Sequence, residues 1–251
     1  MKNIIFLINI KNPTKPNRTQ GYDLSIESWK RWANKNDCEV FVLTEPVVDL
    51  SEMSPIIMRH YVFELLENSG IEYDQICMVD ADTIVHPDCP KFFELTEHKF
   101  CAVHNDGDYD WVIRSIENYE YELDNNTDVK PFHVWEYFNT GFMITNKSYE
   151  WLHKKLLNFY WKHKDKIVSL QQKYGVGTDQ PLMNYMVRHN DVEVKLLPYQ
   201  FNMQDLSRKN ALDDRMLFTK IKGVYHFNAV SGGPDEVNYW LNKTFKYLYN
   251  D

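Results

Sequence analysis

The chain has 251 residues, 43% of them hydrophobic and 25% charged, so it can bury a core without a disulfide or a structural metal. Its formal net charge of -8 argues against the broad basic surface that binds nucleic acid. We expect one α/β domain over residues 1–251 in the cytoplasm, since the N-terminal apolar run is too short for a membrane span.

The first half of the chain alternates short apolar runs with amphipathic stretches. Strands are predicted at residues 3–10, 38–44 and 75–79, with helices from about residue 23 and over about 54–68. The first helix carries Ile26, Trp29 and Trp32 on one face. This βαβαβ alternation predicts a parallel sheet, in which ligands gather at the carboxyl ends of the strands.

The second half is less regular and completes a mostly parallel, mixed sheet flanked by helices. The acidic and aromatic stretch from Asn105 to Asp128 shows no evident period and is predicted to be irregular. Further strands are predicted at 99–104, within 134–145, at 192–197 and at 223–227, with helices at about 148–173 and ending near His189.

Two aspartates, Asp80 and Asp82, directly follow the third predicted strand. On an extended strand end, side chains two residues apart point the same way, so both carboxylates share one volume and Ala81 faces away. Adjacent carboxylates repel each other unless a cation lies between them, and Mn²⁺ or Mg²⁺ prefers such oxygen ligands. The alternative is a pair of turn or helix-capping aspartates, but those usually have Gly, Pro or Asn neighbours.

The same pattern also suits a phosphohydrolase of the haloacid-dehalogenase type, in which the first aspartate is the nucleophile. Asp213 and Asp214 would then supply the downstream acidic motif. Two features disfavour this alternative. Ile84 stands where Thr or Val is expected, and the motif follows the third predicted strand rather than the first.

The segment Met78–Val85 resembles the metal-binding signature of GT-A fold glycosyltransferases. It is most similar to glycosyltransferase family 8, the glycogenin-like and galactosyltransferase-like group. Four further segments resemble that family in the same order, over about residues 3–230: Phe138–Phe142, Gly177–Asn184, Leu197–Asn202 and Tyr225–Phe227. The chain departs from the family after His226, where a Gly and then Lys-Pro-Trp are usual and no lysine follows here.

The resemblance implies a GT-A, Rossmann-like fold and a nucleotide diphosphate sugar bound at Asp80, Ala81 and Asp82. His226 would be the third ligand of a Mn²⁺ or Mg²⁺ ion, although a lone histidine in an aromatic strand is usually structural. UDP-glucose or UDP-galactose would be the donor, with retention of the anomeric configuration. The acceptor could be a glycan, a protein or a small molecule. A nucleotide-sugar-binding protein without turnover is the remaining alternative.

The resemblance also assigns roles outside the metal site. Asn139 would contact the donor sugar unless its amide pairs with the backbone, and Gly141 would let a ligand approach closely.

Arg59 would reach the donor's phosphate or sugar, unless it lies on a solvated helix face. Asp179 would act at the junction of donor and acceptor, or serve only as a helix N-cap. Gln180 would bind sugar hydroxyls. Independently of the resemblance, the position of Asn9 at the end of the first strand makes it a candidate nucleotide contact.

Overall fold

The computed structural model describes residues 1–11, 16–124, 133–177 and 179–249. It contains eight strands within this part of the chain: β1 (Lys2–Ile8), β2 (Cys38–Leu43), β3 (Tyr73–Val79), β4 (Thr83–Val85), β5 (Phe100–His104), β6 (Phe138–Asn146), β7 (Val194–Leu197) and β8 (Val224–His226).

Six of these strands form one mixed sheet in the order β2-β1-β3-β6-β5-β7. β1 lies parallel to both β2 and β3, and β5 lies parallel to β7. β6 runs antiparallel to both of its neighbours, β3 and β5. The predicted βαβαβ unit and the mostly parallel mixed sheet are therefore confirmed.

The helices pack on both faces of this sheet. They are α1 (Tyr22–Lys35), α2 (Pro55–Met58), α3 (Val62–Asn68), α4 (Tyr109–Ile113), α5 (Tyr121–Asp124), α6 (Glu150–Tyr174), α7 (Asp179–His189) and α8 (Pro234–Tyr249). Short 3₁₀ turns at Pro16–Thr19 and Arg59–Tyr61 and a π-helix at Arg114–Glu120 connect some of them.

The alternation of side chains along β1 explains why its sequence is continuously apolar. Ile4 and Phe6 join the core on one face of the sheet, while Ile5 and Leu7 join the core on the other. Successive strand residues point to opposite faces, and both faces are covered by helices.

The predicted helix over residues 54–68 is interrupted in the structure. Pro55 starts α2, the 3₁₀ turn Arg59–Tyr61 breaks the α-helical hydrogen bonding, and α3 follows. The turn carries Arg59 and His60, both buried. At this interruption Arg59 donates to the carbonyl of Thr140 on β6, and a ring nitrogen of His60 contacts His153 on α6.

The prediction of an irregular excursion from Asn105 holds for residues 105–108 but is wrong for residues 109–124. The chain is helical from Tyr109 to Asp124, with a π-helical middle. The buried apolar residues are Val112, Ile116, Tyr119 and Leu123, a spacing of three to four that marks one helix face. The rest of the predicted excursion, residues 125–128, lies outside the described part of the chain.

The C-terminal helix α8 was missing from the sequence-based prediction. It buries Trp240, Leu241, Thr244 and Phe245, again at helical spacing, and packs beside α1. The helix also contacts the 3₁₀ turn Pro16–Thr19. The C-terminus thereby holds a loop near the start of the chain.

A second, two-stranded sheet pairs β4 with β8 and sets Thr83 opposite His226. The indole of Trp29 donates to the Thr83 hydroxyl over 3.0 Å. That hydroxyl donates in turn to the Asp80 carbonyl over 2.7 Å. Helix α1 thus fixes the turn that carries both aspartates.

The cysteines Cys38 and Cys77, whose apolar surroundings in the sequence predict burial, lie in the core together with Cys89 and Cys101.

Among the helices of the described residues, none is long and apolar enough to cross a membrane.

Thr83→Val tests this support for the aspartate turn. The substitution keeps the shape of the side chain but leaves the Trp29 indole and the Asp80 carbonyl without their shared partner. We expect the free energy of unfolding to fall by about 1–3 kcal/mol in urea titrations, because buried donors without partners are costly. Thr83→Ser keeps the hydroxyl and should lose less; equal stability of Thr83→Val and wild type would contradict this role.

Candidate active site

The Asp80–Asp82 turn is pinned by backbone hydrogen bonds on both sides. Asp80 N donates to Gly141 O over 3.0 Å, and Phe227 N donates to Asp82 O over 2.9 Å. Ala81 packs into the core. The turn therefore directs the two carboxylates away from the core, as the alternation along the strand end predicted.

Asp80, Asp82 and His226 come together at the carboxyl end of β3. One ligand atom from each lies within 4.8 Å of the others. His226 Nε2 is 3.1 Å from Asp82 Oδ1 and 3.6 Å from Asp80 Oδ2. Two carboxylate oxygens and one imidazole nitrogen form a donor set that can hold a divalent cation.

The hydrogen bonds of Asn202 determine which nitrogen of His226 faces the aspartates. Asn202 Nδ2 donates to Asn139 Oδ1 over 2.9 Å, so its Oδ1 is the acceptor for His226 Nδ1, also at 2.9 Å. The neutral ring then carries its hydrogen on Nδ1 and presents the Nε2 lone pair to the carboxylates. Nε2 is buried and has no hydrogen-bond partner, which is unusual unless a cation serves as its partner.

The charges at this site shift the pKa values in opposite directions. Burial alone would lower the pKa of His226, but the carboxylates of Asp82 and Asp80 outweigh it and the pKa is raised. Burial would raise the pKa of Asp82, yet the charge of His226 opposes it and the pKa is lowered. A proton on His226 thus stabilises the metal-free site, and a bound metal would displace that proton.

Gly141 makes room for the imidazole. A Cβ atom at this position would lie 2.3 Å from His226 Cε1 and 2.7 Å from Asn139 Oδ1. The close approach predicted for Gly141 is therefore present, but the group that approaches is the ring of His226.

Arg59 joins the metal-site carboxylates to Asp179. It is 3% exposed, so the solvated alternative is wrong. Its guanidinium hydrogen-bonds Asp80 Oδ1, donates to Thr140 O over 2.6 Å and lies 3.5 Å from Asp179 Oδ2. Asp80 consequently turns Oδ1 to the arginine and leaves Oδ2 on the side of His226.

Asp179 is the first residue of α7 and is 6% exposed. Burial raises its pKa to about 6 even though Arg59 opposes that shift. Its Oδ2 atom is buried without a hydrogen bond. A carboxylate with a raised pKa beside a cleft is a candidate functional group, and a helix-capping role alone does not account for its unpaired oxygen.

Asn139 and Gln180 are held by protein partners. Asn139 Nδ2 donates to Gln180 Oε1 over 2.9 Å and to Asn105 Oδ1 over 3.3 Å. Its Oδ1 accepts from Gly141 N and Asn202 Nδ2. This buried amide network links the start of α7 to the ring of His226.

A cleft of about 490 Å³ opens beside the aspartates. Asp80, Ala81, Asp82, Arg59 and Asp179 line it; of the predicted site residues that the structure describes, Asn9, Asn139, Gly141, Gln180 and His226 are not part of the lining. A larger hollow of about 840 Å³ lies at the opposite end of β3 and contains none of the predicted site residues.

Asn9 lies at the end of β1, as predicted, but its Nδ2 donates to Asp23 Oδ1 over 3.1 Å. Its neighbours Ile8 and Ile10 line the cleft instead. Sequence reasoning missed further lining residues, among them Arg18 and Tyr22. Three aspartates in one cleft need cations nearby, and this requirement could have directed attention to basic residues such as Arg18.

The sequence model of glycosyl transferase family 8 matches residues 37–231, which contain the aspartates, Asp179 and His226. No curated protein matches this chain in sequence.

Solved structures share the fold at low sequence identity. A glycosyltransferase involved in the glycosylation of the major capsid of PBCV-1 superposes with a TM-score of 0.61 at 9% identity, covering 97% of this chain and 100% of that one. The WbbM bifunctional glycosyltransferase superposes with a TM-score of 0.53 at 15% identity, covering 91% of this chain and 46% of the other. The expected GT-A type architecture is confirmed.

Asp179→Asn measures the cost of burying the carboxylate in the metal-free protein. Burial raises the pKa from 3.8 to about 6, so the folded state binds more protons between these values and stability falls as pH rises through them. The amide does not ionise. The variant should match wild type at about pH 4 and exceed its free energy of unfolding by up to about 3 kcal/mol at about pH 7. Urea unfolding in EDTA measures this difference; lower stability of the variant at the higher pH would contradict it.

Gly141→Ala tests the packing of His226. The added methyl group should displace the ring and lower the affinity for Mn²⁺ by about 10- to 100-fold, as loss of ligand orientation does elsewhere. Gly177→Ala is the matched control, because its Cβ would meet Trp111 Cζ2 at an ordinary 3.5 Å. Electron paramagnetic resonance of free Mn²⁺ gives both affinities, and equal affinities would refute the steric role.

Proposed function

Since the chain belongs to glycosyl transferase family 8, we propose that this glycosyltransferase moves a hexose from a nucleotide diphosphate sugar to an acceptor hydroxyl in a metal-dependent reaction. The observation that carries the metal dependence is the buried Nε2 of His226, which lacks a hydrogen bond and faces Asp80 and Asp82.

The residues present fit a Mn²⁺ or Mg²⁺ ion. Asp80 and Asp82 offer hard oxygen ligands, His226 offers nitrogen, and three protein ligands leave coordination positions for phosphate oxygens. When bound, the ion would neutralise charge on the leaving diphosphate as a Lewis acid.

The protein's own groups would position the reactants around this ion. Arg59 holds Oδ1 of Asp80 and so fixes the orientation of that carboxylate. Asn202 and Asn139 hold the ring of His226 through its Nδ1 side. These contacts exist before any ligand binds, so little reorganisation would be needed on binding.

Asp179 is our candidate for the group nearest the reacting carbon. Its Oδ2 atom lies 3.5 Å from the guanidinium of Arg59, which also forms an ion pair with Asp80. Arg59 therefore connects the start of α7 to the aspartate turn. With a pKa of about 6, it is mostly ionised at neutral pH. A carboxylate there would stabilise oxocarbenium-like charge or orient the acceptor hydroxyl. Gln180 would fix the start of α7 through Asn139.

The resemblance to family 8 supports UDP-glucose or UDP-galactose as the donor and retention of the anomeric configuration. A glycan, a protein or a small molecule with a free hydroxyl would be the acceptor. The cleft of about 490 Å³ is of the size that a ligand of this kind occupies.

Asp213 and Asp214 do not provide the downstream acidic motif that a phosphohydrolase would need at the cleft. Asp213 pairs with Arg215, and the Asp214 side chain is 93% exposed beside Lys243. Neither residue lines the cleft at Asp80. Asp80 Oδ1, meanwhile, is engaged by Arg59 rather than left free to attack a phosphate.

Hydrolysis of donor sugars tests the proposed function. We expect the wild type to hydrolyse a UDP-hexose in preference to GDP- and dTDP-sugars with Mn²⁺, and to lose this activity in EDTA. Asp82→Asn should lower Mn²⁺ affinity by about 10- to 100-fold and donor hydrolysis with it. Asp214→Asn, at an exposed aspartate outside the cleft, is the matched control.

The outcomes separate the three candidate functions. Hydrolysis of an aryl phosphate without hydrolysis of any donor sugar would support a phosphohydrolase. Donor binding without turnover of any acceptor or water would support a binding protein. If the wild type hydrolyses no donor and Asp82→Asn retains full metal affinity, the proposal is wrong.

A further inference from the structure

The cleft holds three carboxylates, those of Asp80, Asp82 and Asp179, and two arginines, Arg18 and Arg59. The guanidinium of Arg59 is already committed to Asp80, Asp179 and the carbonyl of Thr140. Arg59 is also 3% exposed, so it can offer little to a ligand without leaving these partners. Among the described residues that line the cleft, the other cation is Arg18.

Arg18 differs from Arg59 in its surroundings. It lies on the 3₁₀ turn Pro16–Thr19 and is exposed along the cleft. Tyr22 hydrogen-bonds it, and the negative charges of Asp82 and Asp80 in the same cleft attract it. Arg18 therefore lines the same cleft as the aspartates but is exposed, whereas Arg59 is buried.

One amide holds the backbone on both sides of Arg18. Asn238 Nδ2 donates to Asn17 O over 2.7 Å, and Gly21 N donates to Asn238 Oδ1 over 2.8 Å. A Cβ atom on Gly21 would lie 2.7 Å from Leu241 Cδ1, so the turn sits tightly against α8. Through these contacts the C-terminal helix fixes the position of an N-terminal arginine.

The segment after His226 supplies no cation of its own. Residues 227–233 contain neither lysine nor arginine. The first lysine beyond them, Lys243, pairs with Asp214 and does not line the cleft. A diphosphate entering the cleft would meet three aspartates, and a single divalent ion balances only part of that charge.

We propose that Arg18 binds the diphosphate of the donor and that Asn238 is the positioning residue that holds Arg18 at the cleft. This inference rests on the proposed function. The planar guanidinium matches phosphate oxygens with two parallel hydrogen bonds, which a lysine does not provide. The C-terminal part of the chain thus contributes to phosphate binding indirectly, through an amide rather than a charge.

Calorimetric titration of UDP in Mn²⁺ tests the role of Arg18. Arg18→Gln should weaken UDP binding by about 10- to 100-fold, the range for losing charge-assisted hydrogen bonds. The affinity of Arg18→Gln for uridine, measured by competition, should be less than about threefold below that of the wild type, because uridine carries no phosphate. Arg18→Lys should recover part of the loss. Arg215→Gln, at an exposed arginine paired with Asp213, is the matched control.

The positioning role of Asn238 needs a double-variant cycle. Asn238→Ala should weaken UDP binding, but the same change in the Arg18→Gln background should have little further effect, since the residue acts through Arg18. Thermal melting of each variant shows whether it folds. Additive losses from the two changes would overturn the positioning role.

Two results would overturn the assignment of Arg18. If Arg18→Gln binds UDP like wild type, the diphosphate contact is absent. If uridine and UDP lose affinity equally, Arg18 supports the nucleoside or the local fold instead. If the wild type binds none of UDP, GDP and dTDP, the proposed function itself fails and this inference with it.

Discussion

A single buried nitrogen organises the site. His226 Nε2 faces two carboxylates at 3.1 and 3.6 Å and has no hydrogen-bond partner. The other features of the site make that arrangement possible: the pairing of β4 with β8 brings the histidine to the aspartate turn, Asn202 fixes the ring through Nδ1, and Gly141 leaves the space the ring occupies. A cation or a proton is the only partner that resolves the electrostatics of this cluster.

The second constraint is charge balance in an acidic protein. Arg59 is buried between Asp80 and Asp179, so it stabilises both carboxylates and couples the metal-site turn to the start of α7. Of the described residues that line the cleft, Arg18 is the other cation, and it is not buried between carboxylates. Arg59 thus holds two carboxylates in place before a ligand binds. We propose that Arg18 binds the anionic ligand.

The sequence was most informative where local pattern and tertiary structure agree. The apolar run ending in Asp80 predicts both the strand and the direction of the carboxylates, because strand alternation is a local property. His226 required the family resemblance, since a lone histidine has no local signature. The contacts of Asn238 could not be predicted locally, because Asn17 and Gly21 lie 221 and 217 residues away along the chain. The same holds for the contacts of Asn139 with Asn105, Gln180 and Asn202, which lie 34 to 63 residues away. Helix α8 did have a local pattern at Trp240, Leu241, Thr244 and Phe245, and it was missed.

The central claim is that Asp80, Asp82 and His226 hold one divalent ion. Anomalous diffraction at the manganese edge, from crystals grown with Mn²⁺ and UDP, tests it most directly. We expect one strong peak about 2.0–2.3 Å from a carboxylate oxygen of each aspartate and from Nε2 of His226. A peak elsewhere, or none at this cluster while UDP occupies the cleft, would contradict the claim.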